Sequence, residues 1–241
     1  MADKPAIHII CSDETRNGKT LLARLLADWL LLNGEHPFLI DLDAPEAPLA
    51  GRYPDSSLAV DFGKVTGRVR AFDTMMSMAG RDQIVEVPAR ELESFLHEAD
   101  EIAFFDEAQR AGMDIAFLFM VDRSVRSVRH ARDLAQRYPG CRFFPARNKA
   151  IGDLLDDEEA SELYLDLYLN GEVALPKLSP ESMATVEGPG FSFRDFSSGR
   201  IEAPTSFQHY ELSDFTDRVF GQFNKLQFRL DMAGLKDMGL I

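Results

Sequence analysis

Near the N-terminus, Asp13-Glu14-Thr15-Arg16-Asn17-Gly18-Lys19-Thr20 combines the residue types that hold phosphate. A turn between a strand and a helix points backbone N–H groups inward, and the positive end of the helix dipole adds to their pull on an anion. Gly18 allows the backbone to approach a phosphate closely. Lys19 supplies a point charge for the β- and γ-phosphates, and the Thr20 hydroxyl is suited to Mg²⁺. Gly-Lys-Thr alone is frequent by chance; its place after an apolar run and at the start of an amphipathic helix is what makes it informative. The loop departs from the common phosphate-binding pattern at Asp13, where a glycine is usual. Ser12 or Asp13 can stabilise the turn through its own side chain. Two acids beside a triphosphate repel it, and Arg16 is placed to offset them.

These residues need a strand before them and a helix after them. Ala6–Cys11 is a short Ile-rich run, and Leu21, Leu22, Leu25, Leu26, Trp29 and Leu30 then repeat at helical spacing as one broad apolar stripe. Asn33-Gly34 supplies the residues suited to a left-handed C-terminal cap. Pro37–Ile40 reads as a second strand, ending at Asp41-Leu42-Asp43. Further strands are expected at Val65–Phe72, Ile84–Val87, Asp114–Val121, Cys141–Pro145 (ending near Asn148) and Val173–Leu175. Helices are expected from Leu92 through Phe104 with a break at Gly112, from the end of the Asp114 strand to about Tyr138, over the acidic stretch 153–170, and from Leu212 onward. Residues 188–204 carry Gly, Ser and Pro and read as a loop. Strands alternating with helices predict an α/β fold: a mostly parallel sheet flanked by helices, one domain over residues 1–241.

Of 241 residues, 40 are acidic and 26 basic, giving a net charge of −14 that disfavours broad DNA binding. Arg123, Arg126, Arg129 and Arg132 are nonetheless spaced by three, with Arg137 beyond them. Such a stripe is either a contact for a partner or nucleic acid, or a solvated helix face. The first apolar run is interrupted by Ser12, Asp13 and Glu14, too early for a signal peptide, and no window approaches the roughly 20 apolar residues that span a bilayer. Cys11 and Cys141 have no metal-ligand spacing and read as small buried hydrophobes, as does His8 as a packed core histidine. A cytoplasmic location is expected.

The ordered set of motifs resembles the MinD/ParA group of P-loop ATPases, the deviant Walker A class that also includes dethiobiotin synthetase and the cobyrinate synthases. Phe38-Leu39-Ile40-Asp41-Leu42-Asp43 is similar to the family's apolar run plus Asp-x-Asp, and Ile84-Val85-Glu86-Val87-Pro88-Ala89 resembles its Walker B segment. Asp114–Val121 with Asp122-Arg123-Ser124, Asn148-Lys149 and Leu175-Pro176 follow in the family's order, so the likeness covers about residues 6–180.

The resemblance implies ATP and Mg²⁺ as ligands, with Thr15, Arg16, Asn17, Gly18, Lys19 and Thr20 around the phosphates and Asn148 and Pro176 at the base. Lys19, Asp43 and Arg16 would be the catalytic groups, Asp43 positioning the attacking water. Thr20, Asp41 and Glu86 would serve the metal, with Glu standing where the family has Asp. The alternative for the Asp41/Asp43 pair is a turn cap, and for Asn148 a turn residue. Asp106 is a rival Walker B acid, set aside because too few residues separate it from the next strand. The family's signature lysine falls at Glu14, which implies slow hydrolysis or none. MinD ends in a membrane-targeting helix. In the tail, Phe215, Val219, Phe220, Phe223, Leu226 and Leu230 recur at helical spacing. Lys225 and Arg229 are balanced there by Asp214, Asp217 and Asp231, so core packing or a partner groove is expected instead of membrane contact. The implied function is an ATP-dependent homodimerising switch that also meets a protein partner. A pseudo-ATPase scaffold and a dethiobiotin synthetase-like ligase are the alternatives; the Asp-Leu-Asp end of the second strand argues against the ligase.

Overall fold

The computed structural model describes residues 4–152, 158–168 and 171–237, with the side chains of 158–160 and 230–237 left aside. Strand β1 (Ala6–Cys11) is buried along its whole length, as an apolar run covered on both faces of a sheet must be. Helix α1 (Lys19–Leu32) follows, then β2 (Phe38–Asp41), the short β3 (Ser57–Ala59), α2 (Val65–Ser77) and β4 (Gln83–Glu86). Helices α3 (Leu92–Glu101) and α4 (Phe104–Arg110) lead to β5 (Asp114–Val121), α5 (Val125–Arg137) and β6 (Arg142–Asn148). The chain continues through α6 (Glu158–Tyr168), β7 (Val173–Leu175), α7 (Pro180–Glu187), α8 (Phe193–Ser197) and α9 (Ser206–Asp237).

The strands form one sheet in the order β3-β2-β4-β1-β5-β6-β7, every neighbouring pair parallel. The chain builds outward from β1 on one side, returns at β4, and crosses to the other side at β5. The crevice at the carboxyl ends of β4, β1 and β5 is therefore the topological switch point, where ligands bind in open α/β sheets. One face of the sheet is covered by α2 to α6 over a continuous aromatic network. Phe62, Phe72, Phe95, Phe104, Phe105, Phe117, Phe143 and Phe119 form it with Tyr138, at centroid separations of 4.9 to 6.4 Å. The other face is covered by α1, α7, α8 and α9. Helix α1 is consequently buried on nearly all sides, Arg24 and Asp28 included, and not along one stripe alone. Arg24 is satisfied by the Val186 carbonyl at 2.7 Å and Asp28 by the Tyr53 hydroxyl at 2.9 Å.

Four expectations need correction. Val65–Phe72 is the start of α2, not a strand; its apolar residues Val65, Val69 and Phe72 recur at helical spacing, and Ala71, Phe72 and Met75 are the buried residues of the helix. Gly67 is required there, because a Cβ would lie 1.9 Å from the Asp61 carbonyl oxygen. The helical run from Leu92 breaks at Ala103, whose φ of 50° ends α3 and starts α4, well before Gly112. Residues 188–204 contain α8, held by buried Phe193 and Phe196 and capped by Ser192. Helix α9 begins at Ser206, six residues earlier than Leu212. Asp106 lies within α4 and not on a strand.

Leu212, Phe215, Val219, Phe223 and Leu226 of α9 are buried over α1, and Trp29 donates to Asn224 at 2.9 Å. Each such side chain contributes roughly 1.5–3 kcal/mol of burial. The apolar face of the tail is thus core up to Leu226; Leu230 lies outside the described side chains. No described helix is long and apolar enough to cross a membrane. At the sheet margin, the Ala174 N–H donates to Gln222 Oε1 at 2.7 Å, and its carbonyl accepts from Gln222 Nε2 at 3.0 Å.

Candidate phosphate-binding site

The loop after β1 is pinned at both ends of its turn. Arg16 and Gly18 adopt left-handed backbone, at φ 56° and 103°. Asn17 Nδ2 donates to the Met120 carbonyl on β5 at 3.2 Å, and the Asn17 carbonyl accepts from Asn148 Nδ2 at the end of β6, also at 3.2 Å. A Cβ on Gly18 would come within 2.8 Å of that Asn148 nitrogen, so this position needs glycine for space as well as for φ. Lys19 is buried, and its ammonium donates to Ser12 Oγ at 2.9 Å, the Glu14 carbonyl at 2.7 Å and Asn17 Oδ1 at 3.4 Å. Burial pulls its pKa down, while the charges of Glu86, Cys11, Asp13 and Asp43 pull it up without compensating fully.

The two acids of the loop turn away from this ammonium cradle, towards α5. Asp13 Oδ1 accepts from Ser127 Oγ at 2.7 Å, and its Oδ2 faces His130 Nδ1 at 3.7 Å, an ion-pair distance that leaves Oδ2 without a hydrogen-bond donor. Burial raises the Asp13 pKa, but the His130 and Ser127 contacts outweigh it and hold the carboxyl below its ordinary value. The same carboxylate lifts His130 above the usual imidazole range. Glu14 faces Arg126 at 3.8 Å. The expected repulsion of a triphosphate by Asp13 and Glu14 is thereby relieved from α5, whereas Arg16 is exposed and has no acidic partner among the described residues.

Parallel register sets Asp41 directly beside Glu86, and Glu86 beside Ile10 of β1, bringing both acids to the mouth of the crevice. Thr20 Oγ1 donates to Glu86 Oε1 at 2.6 Å. Glu86 Oε2 is buried with no hydrogen-bond partner. Burial, only partly opposed by the Thr20 hydrogen bond, pushes the Glu86 carboxyl up to about 7, with Asp41 and Asp43 adding to the rise. Asp41 is fully buried, and its carboxylate accepts the Asp43, Leu49 and Ala50 N–H groups at 3.0, 2.8 and 3.1 Å. These hydrogen bonds tie Asp41 to the chain that follows β2. Asp43, at the crevice rim, pairs with Arg90 in the turn after β4.

Of the remaining expected residues, Thr15 is exposed at the loop tip and Pro176 lines a groove of about 550 Å³ with Lys149, Lys177, Gln222 and Lys225. Asn148 Oδ1 accepts from Ala150 N–H at 3.0 Å while Nδ2 holds the loop, so both ends of the amide are engaged. Arg123, just before α5, is exposed, as are Arg126 and Arg129 on the helix, and Arg132 is half-buried. His8 is a core residue, its pKa lowered by burial despite Asp82 at 4.0 Å. Ser127, His130 and Arg90 were not singled out by sequence. Only the Ser124 and Ser127 spacing, which caps α5, signals the first of them.

A phosphate loop leaving the central strand of a parallel sheet, with a strand-end acid against the loop threonine, is the arrangement of P-loop nucleotide-binding proteins. The fold is the one seen in MinD: the structure resembles the septum site-determining protein MinD of Pyrococcus horikoshii, solved with Mg-ADP, at a TM-score of 0.51 and 13% identity over 89% of this chain and 96% of that one. MinD of Aquifex aeolicus aligns at 17% identity and a TM-score of 0.49 over 90% of this chain and 97% of that one. A plasmid partition protein of Borrelia burgdorferi aligns at 13% identity and 0.44 over 71% and 90%. No family model matches the chain, and no curated protein matches it in sequence.

Proposed function

We propose that the chain is a cytoplasmic, Mg-ATP-binding switch of the MinD/ParA type, one nucleotide-binding unit that dimerises with nucleotide, hydrolyses ATP slowly, and meets a protein partner in positioning or partitioning. The observation that carries this reading is the half-buried Thr20 hydroxyl bonded to buried Glu86, next in sequence to Lys19, with Glu86 Oε2 left without a donor. A hydroxyl and a carboxylate oxygen are the donors a hard divalent cation takes. Among the described residues no three acidic, His or Cys side chains converge as a closed metal site, which suits an ion that keeps water and phosphate oxygens as its other ligands. Thr20 and Glu86 would hold Mg²⁺, which when bound supplies charge neutralisation to the phosphates.

Lys19 orients the β- and γ-phosphates, and Asn17 and Gly18 line them with backbone. Asp43, at the rim, orients water. With Glu14 standing where the signature lysine would fall, turnover is slow. The same replacement favours a second reading, a nucleotide-loaded scaffold that does not hydrolyse. Equilibrium binding of Mg-ATP and Mg-ADP, with Lys19→Ala as control, tests the nucleotide reading. Micromolar affinity lost in the variant supports it, and no binding by the wild type overturns it. Mg-ATP leaving the oligomeric state unchanged would sink the dimerising switch.

A further inference from the structure

We propose that Arg90 is the group that distinguishes ATP from ADP in this protein, exchanging its contact with Asp43 for the terminal phosphate; this rests on the nucleotide reading above. Arg90 lies in the single turn Ala89–Glu91 that follows β4, four residues after Glu86, so the strand that carries the candidate metal ligand also delivers the guanidinium. Pro88 at the start of this turn and buried Leu92 after it hold the backbone in place. The side chain itself is 57% exposed and free to change its reach.

Its hydrogen-bonding geometry suits a second acceptor. Nε faces Glu91 Oε1 at 3.5 Å, and Nη2 donates to Asp43 Oδ1. Nη1 has no acceptor among the described residues, although a guanidinium carries five N–H donors in a fixed fork. The fork matches a phosphate with two parallel hydrogen bonds. Asp43 lies two residues beyond Asp41, which stands beside Glu86 in the sheet and accepts the Asp43 N–H, so the carboxylate that Arg90 touches lies at the strand ends where the phosphates would end.

Charge makes the exchange favourable. The buried acids Asp41 and Glu86 stand side by side at the strand ends with Asp43 just beyond them, and Lys19 is the buried cation of the loop that precedes α1. A terminal phosphate brings further negative charge to this rim, and Arg90 is the cation already there. An exposed ion pair such as Arg90–Asp43 holds weakly in water, so trading its carboxylate for a phosphate costs little. ADP lacks the terminal group and leaves the Asp43 contact in place. Arg90 thus acts on the triphosphate alone, whereas Lys19 serves both nucleotides.

The test is calorimetric titration of the full chain with Mg-ADP and with the non-hydrolysable analogue Mg-AMP-PNP, so that turnover does not enter. Arg90→Ala is expected to weaken AMP-PNP binding roughly tenfold or more, the worth of a charge-assisted hydrogen bond, while the ADP constant stays within about twofold. The retained ADP affinity also reports that the variant is folded. Arg90→Lys, keeping the charge but losing the fork, should fall between. Equal losses for both nucleotides, or an unchanged ratio, would overturn the proposal. Wild type that binds neither nucleotide ends the underlying reading and this proposal with it. Wild type that binds both, with the ratio unmoved by Arg90→Ala, removes Arg90's role alone.

Discussion

Replacing Glu86 by Gln should stabilise the nucleotide-free protein, increasingly so as pH rises, while removing the Mg-dependent affinity for ATP proposed above. The buried carboxyl is pushed from an ordinary 4.5 up to about 7, chiefly by burial. At about 1.4 kcal/mol per pH unit, that rise corresponds to roughly 3 kcal/mol. Below pH 4.5 the group is protonated in both folded and unfolded chains and contributes no difference. Between pH 4.5 and 7 the unfolded chain releases its proton while the folded one resists, so stability falls. Above pH 7 the folded group ionises too, and the loss levels out. Gln is neutral throughout and keeps an oxygen for the 2.6 Å hydrogen bond from Thr20. Urea unfolding in EDTA at pH 5, 6, 7 and 8 measures the difference by linear extrapolation. The advantage of Glu86→Gln should be slight at pH 5 and reach about 3 kcal/mol at pH 8. A difference independent of pH, or a variant less stable than wild type at pH 8, would refute the assignment of Glu86 as a carboxylate kept ready for a cation at a cost to the fold.

Gly67→Ala should cost about 3 kcal/mol in urea unfolding, because its Cβ meets the Asp61 backbone and not a flexible side chain; a loss below 1 kcal/mol would show that the start of α2 yields easily. The Asp13–His130 pair stabilises the fold while Asp13 is ionised and His130 protonated. That window opens above the lowered Asp13 pKa, holds fully to the ordinary His value of 6.5, and closes as pH passes the raised His130 pKa. His130→Ala should therefore destabilise by about 1 kcal/mol or less at pH 6 and by little at pH 9, and a loss that grows towards pH 9 would contradict the pairing.

Much of the frame was legible from residues alone because the strands are short apolar runs next to polar ends. The phosphate loop stood out because Gly18-Lys19-Thr20 sits between two such signals. What could not be read had non-local causes. Val65 and Val69 suggested a strand, yet they are exposed on α2, and the strand at this edge is the barely apolar Ser57–Ala59. Phe193 and Phe196 were hidden among Gly and Ser residues, and only their burial over the α1 face makes α8 a helix. In the site, Lys19 and Thr20 stand where local pattern places them. Asp41 and Asn148 were readable as polar residues at strand ends, but Leu49 and Ala50, which donate to Asp41, and Asn17, whose carbonyl Asn148 meets, come close only after folding. Ser127 and His130 lie more than 110 residues from Asp13, so no sequence window contains that contact.

The hydrogen bonds of Gln222 to Ala174 bear on how copies of this protein can meet. A parallel sheet ends in rows of unpaired N–H and C=O groups that invite another chain to add a strand, the route to open-ended aggregation. At the β7 margin, Gln222 occupies both groups of Ala174, the central residue of a three-residue strand, imitating one link of a missing neighbour. The opposite margin, β3, is likewise only three residues long and offers little template. Strand-by-strand growth is thus discouraged at both margins, so the dimer proposed above would meet through helices and loops, where contact is more readily reversed.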